Sequence, residues 1–222
     1  MRDAYHEDLE ALTTTLVDMT RLVGGAVSRA TQAVLDADLS LAEAVIDGDD
    51  AIDAAYNDIE KRAYDLLARQ QPVAADLRLI VASLRMMVDL ERAGDYARHI
   101  AELARRRYHA SAIPADLRPT VLEMGQVTAR IVEKCGRIVA GIDRGDLVDK
   151  VEQLEREDDV IDNLHRELFT VLLSDDWDGG IETAVDVILC GRYYERLADH
   201  VVGVARRVVY LVTGERHETP LA

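Results

Sequence analysis

Eight acids, arranged in four pairs, are the residues of this chain with most to say about chemistry. Asp49 and Asp53, Glu91 and Asp95, Asp158 and Asp162, and Glu195 and Asp199 are each spaced i, i+4. On a helix this spacing stacks two carboxylates one turn apart on the same face. At an exposed surface such like charges cost only a few tenths of a kcal/mol. The cost grows where the helix turns the acids toward a neighbour, and protons, arginines or metal ions must then compensate. The apolar spacing implies this placement. Leu77, Ile80, Leu84 and Met87 step on to Glu91 and Asp95, while Ile181, Val185 and Ile188 lead through Arg192 to Glu195 and Asp199. Oxygen donors converging from facing helices suit magnesium, manganese, iron or zinc, and oxygen alone does not choose among them. The competing reading is a solvated acidic face with Arg92 and Arg196 as ion-pair partners, which would suffice for any single pair.

The elements that must position these acids are helices. Apolar residues step by three and four along Leu9, Leu12, Leu16, Met19 and Val23, and along Ile52, Ile59, Ala63 and Leu66. Aromatics make up only 5%, and the 4 prolines fall between the periodic stretches. The pattern predicts helices over 3–36, 39–70, 74–108, 116–143, 146–174 and 180–212. Asp38-Leu39-Ser40 caps the second helix and Gly48 is a candidate bend within it. Gly145-Asp146 and Asp178-Gly179-Gly180 separate the later ones. Helices this long imply a bundle.

The chain also repeats. Asp49-Asp50-Ala51-Ile52-Asp53 returns 109 positions later as Asp158-Asp159-Val160-Ile161-Asp162, and Leu90-Glu91-Arg92-Ala93-Gly94-Asp95-Tyr96 returns 104 positions later as Tyr194-Glu195-Arg196-Leu197-Ala198-Asp199-His200. The expected fold is all-α, with two tandem, pseudo-symmetric three-helix bundles at 1–110 and 111–222. Acids outnumber bases 42 to 26, a net charge of −16, which excludes a basic nucleic-acid or membrane-surface binder. No apolar signal segment and no membrane span is evident, so a cytoplasmic protein is expected. Cys135 and Cys190 form no C-x-x-C and read as buried, reduced thiols.

Gln70-Gln71-Pro72-Val73-Ala74-Ala75-Asp76-Leu77-Arg78, followed by Asp89-Leu90-Glu91-Arg92-Ala93-Gly94-Asp95-Tyr96-Ala97 and its second copy, resembles the signature of the PhoU family, whose actinobacterial members are called PhoY. The resemblance covers both halves. It implies a cytoplasmic negative regulator of phosphate uptake and phosphate-starvation signalling, not an enzyme. It implies partners in the phosphate ABC transporter, through its nucleotide-binding subunit, and in a Pho-type sensor histidine kinase. Metal ions held by acidic E/D-x-x-x-D motifs are also implied, and a homodimer is expected. By motif match Glu91, Asp95, Glu195 and Asp199 carry over as ligands, with Asp49, Asp53, Asp158 and Asp162 as the facing pairs. The second copy departs at Leu197-Ala198 and lacks the proline, which makes the first site the better match.

Histidines add little by themselves. His99, His165 and His200 stand near the acids, but the repeat places Gly203, Tyr56 and Tyr96 at the equivalent positions, so surface or ion-pair roles are expected. Arg105-Arg106-Arg107 and Arg206-Arg207 suit the C-termini of the third and sixth helices. Met86, Met87 and Trp177 read as packing residues. No G-x-x-x-x-G-K-S/T, G-x-G-x-x-G or H-E-x-x-H motif and no nucleophile arrangement occurs. Two alternatives remain. A di-metal carboxylate enzyme would want a Glu-x-x-His pair, to which Asp162-x-x-His165 is the nearest approach. A metal-free helical adaptor would keep its acids solvated or paired to arginine.

Overall fold

The computed structural model describes residues 2–141 and 146–214. Its six helices are α1 (Arg2–Asp36), α2 (Leu39–Gln70), α3 (Ala74–Arg106), α4 (Arg118–Val139), α5 (Leu147–Leu172) and α6 (Gly180–Thr213), with no strand among the described residues. The predicted limits agree to within a few residues. α4 ends at Val139, with Ala140 and Gly141 already in a turn, so the fourth helix stops short of the expected 143; the expectation that Gly145 separates it from the next helix falls on a residue outside those described. Asp38 caps α2, its Oδ1 accepting from the Leu41 amide at 3.0 Å. Gln71, in the left-handed region at φ 46°, ends α2 before Pro72, and Pro119 begins α4. α2 is one unbroken helix through Gly48.

Each half is three mutually packed helices, α1 to α3 and α4 to α6. The halves join where α3 packs on α6 and α1 on α4. These contacts close a ring, α1–α3–α6–α4, so the middle of the molecule is a four-helix bundle flanked by α2 and α5. α3 and α6 run antiparallel: Arg107, capping α3, pairs with Asp186 and Glu182 near the start of α6. Asp89, earlier on α3, meets His200 and Arg207 late on α6. The arginines at the end of α3 therefore clamp the two halves rather than merely suiting a helix terminus.

The buried stripes explain where the acids fall. On α2 the stripe runs Ala42, Val45, Ile52, Ile59, Ala63 and Leu66. Its heptad spacing leaves two gaps, filled by Asp49 and Tyr56. On α5 it runs Val151, Leu154, Ile161, Leu168 and Leu172, with Asp158 and the buried His165 in the corresponding gaps. The facing acids sit at stripe edges instead. α3 buries Met86, Met87, Leu90, Ala93, Gly94 and Ala97, and α6 buries Val187, Cys190, Gly191, Tyr194, Leu197 and Ala198. This corrects the sequence-derived register. Ile181 is 85% exposed, Val185 50% and Leu77 40%. They do not belong to the core stripe, and Glu91, Asp95 and Glu195 are half-buried at the seams rather than pointing into the core.

Both cysteines are free and fully buried, with burial lifting each thiol to about 12. Met86 and Met87 are core residues, and Trp177 packs partly buried, donating to the Gly180 carbonyl at 3.2 Å.

Candidate functional site

The eight acids form two quartets, one in the α2/α3 seam and one in the α5/α6 seam, on opposite sides of the α3/α6 contact. In the first, Gly94 lets the helices approach: a Cβ there would lie 2.7 Å from Ile52 Cδ1 and 3.4 Å from Asp49 Oδ1. Glu91 and Asp49 both have raised pKa values. Burial is the main cause; the neighbouring Asp95 raises both further, and Asp53 adds to each. Asp53 itself lies exposed at the rim.

A residue that the sequence reading passed over dominates this seam. Arg98 donates from an NH2 nitrogen to Asp95 Oδ1 at 2.6 Å and from an NH1 nitrogen to Glu102 Oε1 at 3.0 Å, and its Nε lies 2.7 Å from Asp49 Oδ2 as an ion pair outside hydrogen-bond alignment. The contacts with Asp95, Asp49 and Glu102 raise its own pKa, although burial works against this. Arg92, the expected partner, reaches only acids of its own helix, Asp95 at 3.2 Å and Glu91 at 3.7 Å. Arg98 lies i+3 from Asp95 and i+7 from Glu91, on their face, so its position was readable from spacing.

The second quartet lacks this bridge. The repeat puts Val202, fully within the core, where Arg98 stands. The nearest inter-helix arginine, Arg206, donates to Glu155 at 2.7 Å. Arg192 and Arg196 pair with Glu195 and, at 3.3 Å, with Asp199 on their own helix. Burial then raises the Asp158 carboxyl to about 7, with Asp199 and Asp162 adding to it and Arg206 only partly opposing. Asp162 is raised by burial and by Glu195. Asp158 Oδ1 and Glu195 Oε2 are buried without a hydrogen bond. Glu195 Oε2 lies 3.0 Å from His165 Nδ1 but outside hydrogen-bond alignment. Asp199 is exposed at the rim. The close approach here is at Gly191, where a Cβ would meet His165 Cδ2 at 2.9 Å, about two turns from the Gly94-equivalent Ala198.

His99 and His200 make aromatic contacts at the α3/α6 interface. His200 stacks on Tyr96 and faces Asp89 at 3.1 Å, and His99 packs on Tyr193.

The PhoU domain family matches residues 16–104 and, a second time, 121–208. The chain belongs to the PhoU family. It is 45% identical over 214 residues to the phosphate-specific transport system accessory protein PhoU homolog 2 of Mycobacterium tuberculosis, covering 96% of this chain and 99% of that protein. It is 44% identical to the PhoU homolog 1 of Mycobacterium leprae, with 96% and 95% covered. The crystal structure of PhoU from Pseudomonas aeruginosa superposes with a TM-score of 0.83 at 30% identity, covering 95% of this chain and all of that one. PhoU from Streptococcus pneumoniae, 24% identical with a TM-score of 0.81, shares the fold.

The two PhoU repeats suit a metal ion unequally. In the first, the Arg98 guanidinium already lies against Asp49 and Asp95, where a cation would otherwise sit. In the second, buried unpartnered carboxylate oxygens with a histidine nitrogen beside them are donors appropriate to manganese, iron or zinc. Among the described residues no three His, Cys, Asp or Glu side chains are gathered closely enough to hold an ion as they stand, so binding there requires the side chains to rotate inward. Among the same residues no helix is long and apolar enough to cross a membrane.

Proposed function

We propose that this protein is a non-enzymatic, cytoplasmic accessory protein of phosphate transport that represses phosphate uptake and phosphate-starvation signalling when phosphate is abundant. One observation carries the reading: 45% identity along 96% of the chain and 99% of a relative named as an accessory protein of the phosphate-specific transport system. Its partners are then the transporter, engaged through the nucleotide-binding subunit, and a sensor histidine kinase that receives the transporter's state. The molecule offers such partners long helical faces joined into one bundle. Self-association as a homodimer belongs to the same reading and is checked by light scattering.

The α5/α6 quartet supplies the place where a metal ion enters this scheme. Asp158, Asp162, Glu195 and Asp199, with His165 beside them, would hold it, and the ion would neutralise carboxylates that burial otherwise disfavours. Chelation should then lower the melting temperature of metal-loaded protein and added manganese should restore it by mass action. The functional test is a strain lacking the gene and any second copy. Phosphate-starvation genes should be expressed while phosphate is plentiful, and the tagged protein should retain the nucleotide-binding subunit in a pull-down. Normal repression in that strain, with no retained subunit, would sink the reading.

A further inference from the structure

We propose that Arg98 is a resident counter-cation that closes the first acidic quartet to metal ions, so that the two halves of this protein respond differently to cations. The inference extends the metal reading of the second half, which it uses as its contrast. The geometry points to Arg98 because its guanidinium, and not merely its charge, is shared across helices. Nε meets Asp49 on α2, while the two terminal nitrogens meet Asp95 and Glu102 on α3. Three carboxylates from two helices around one cation is the arrangement a bound metal ion would otherwise provide. Arginine suits the place because it stays protonated and its planar fork engages several carboxylates at once.

The neighbours fix it there. Its side chain is 29% exposed, against 57% for Arg92, which stays on its own helix. Glu102 anchors the far side of the guanidinium, and Gly94 brings α2 close enough for Asp49 to reach. None of these devices recurs in the second half. Val202 replaces Arg98, Ala198 replaces Gly94 and Arg206 replaces Glu102. The exchange at the last position is telling: where the first half keeps an acid to hold its arginine, the second has an arginine committed to Glu155. An incoming divalent ion in the first seam would meet a fixed positive charge and acids already engaged. In the second it would meet acids with no arginine shared across the helices, only His165 beside Glu195.

Manganese titration at moderate salt distinguishes the halves, read by calorimetry and by paramagnetic broadening of backbone amide signals. Three proteins are compared: wild type, a background carrying Asp158→Asn, Asp162→Asn, Glu195→Gln and Asp199→Asn, and that background with Arg98→Leu added. With Arg98 intact, α2 and α3 amides around Asp49 and Asp95 should stay sharp in both proteins, and the background should give no binding heat. Adding Arg98→Leu should create one saturable site that broadens those amides, at least tenfold tighter than any residual binding in the background. Broadening around Asp49 and Asp95 with Arg98 in place overturns the proposal, as does a folded Arg98→Leu protein that gains no site. Should Arg98→Leu fail to fold, the wild-type map decides: sharp first-quartet amides support resident closure, and broadened ones refute it. Absence of broadening at α5 and α6 in wild type would instead refute the metal reading of the second half, a separate outcome.

Discussion

In cation-free protein, Asp158 should make the fold progressively less stable as the pH rises from about 4 to about 7. Burial in the α5/α6 seam, aided by Asp199 and Asp162, lifts its carboxyl to about 7. In the unfolded chain it titrates near the ordinary aspartate value of about 3.9. Between these values the folded state binds the proton and the unfolded state does not, so stability falls as pH rises. It is fully present below about pH 4 and level again above about pH 7. A shift of three units corresponds to about 4 kcal/mol. That is a ceiling, because Asp158 keeps some solvent contact and Arg206 can turn toward it; a loss of about 1–3 kcal/mol is expected. The assay is urea unfolding of wild type and Asp158→Asn in chelator across this range. The amide cannot titrate, so the stability difference between the two proteins isolates Asp158. The variant should gain steadily on wild type up to about pH 7 and hold its lead above it. A gap independent of pH would refute the reasoning, because it would show that Asp158 is charged in the folded state throughout.

Other perturbations test the packing that carries the seams. Tyr194 and Thr31 share a buried 2.7 Å hydrogen bond that joins α6 to α1. Because Thr31 also donates to the Val27 carbonyl, Tyr194→Phe should cost only about 1 kcal/mol by denaturant midpoint. Gly125→Ala should cost more, about 2 kcal/mol or above, because the new methyl would lie 2.4 Å from Thr31 Oγ1 and Cγ2. Ala37, just past α1 at φ 53°, should gain stability on replacement by glycine, by about 0.5–1 kcal/mol in the same assay. Cys135 and Cys190 should resist a thiol reagent in native protein and react together on unfolding, since both are buried and hold their protons to about 12.

Helix limits were legible because local chemistry sets them: Asp38 accepts from the Leu41 amide in the first turn of α2, Pro72 cannot continue α2, and Pro119 is tolerated only in the first turn of α4. The duplication was legible because the acidic segments recur in the same order, at offsets of 109 and 104. The core register near the start of α6 was not. Ile181 and Val185 carry the right period and the right chemistry, but no helix covers them, and apolar identity does not report cover near a helix end. The acids and their partners Arg92 and Arg196 were found, but Arg98 was missed. Arg92 and Arg196 sit beside the acids in sequence and, as expected, pair within their own helices. Arg98 reaches between helices, and only the tertiary approach at Gly94 creates that contact. The signal nevertheless existed in the repeat: an arginine on the acidic face of one copy stands opposite a valine in the other.

That difference bears on what holds each seam together. An arginine that pairs at i+3 lowers the repulsion within one helix but adds no attraction between two, and exposed pairs of this kind contribute little. Arg98 is different because its contacts with Asp49 and Asp95 span α2 and α3, so separating those helices would strand carboxylates that are half-buried. The α5/α6 seam is drawn together by its apolar heptad, interrupted by Asp158 and His165, and by the Arg206–Glu155 ion pair, with no arginine shared among the quartet acids. A proton on Asp158 removes charge from that seam, whereas the α2/α3 seam carries the Arg98 guanidinium permanently. α6 is shared between the adjustable seam and the α3 contact that unites the halves. A change of charge at Asp158 therefore falls beside a helix that also packs on the first repeat.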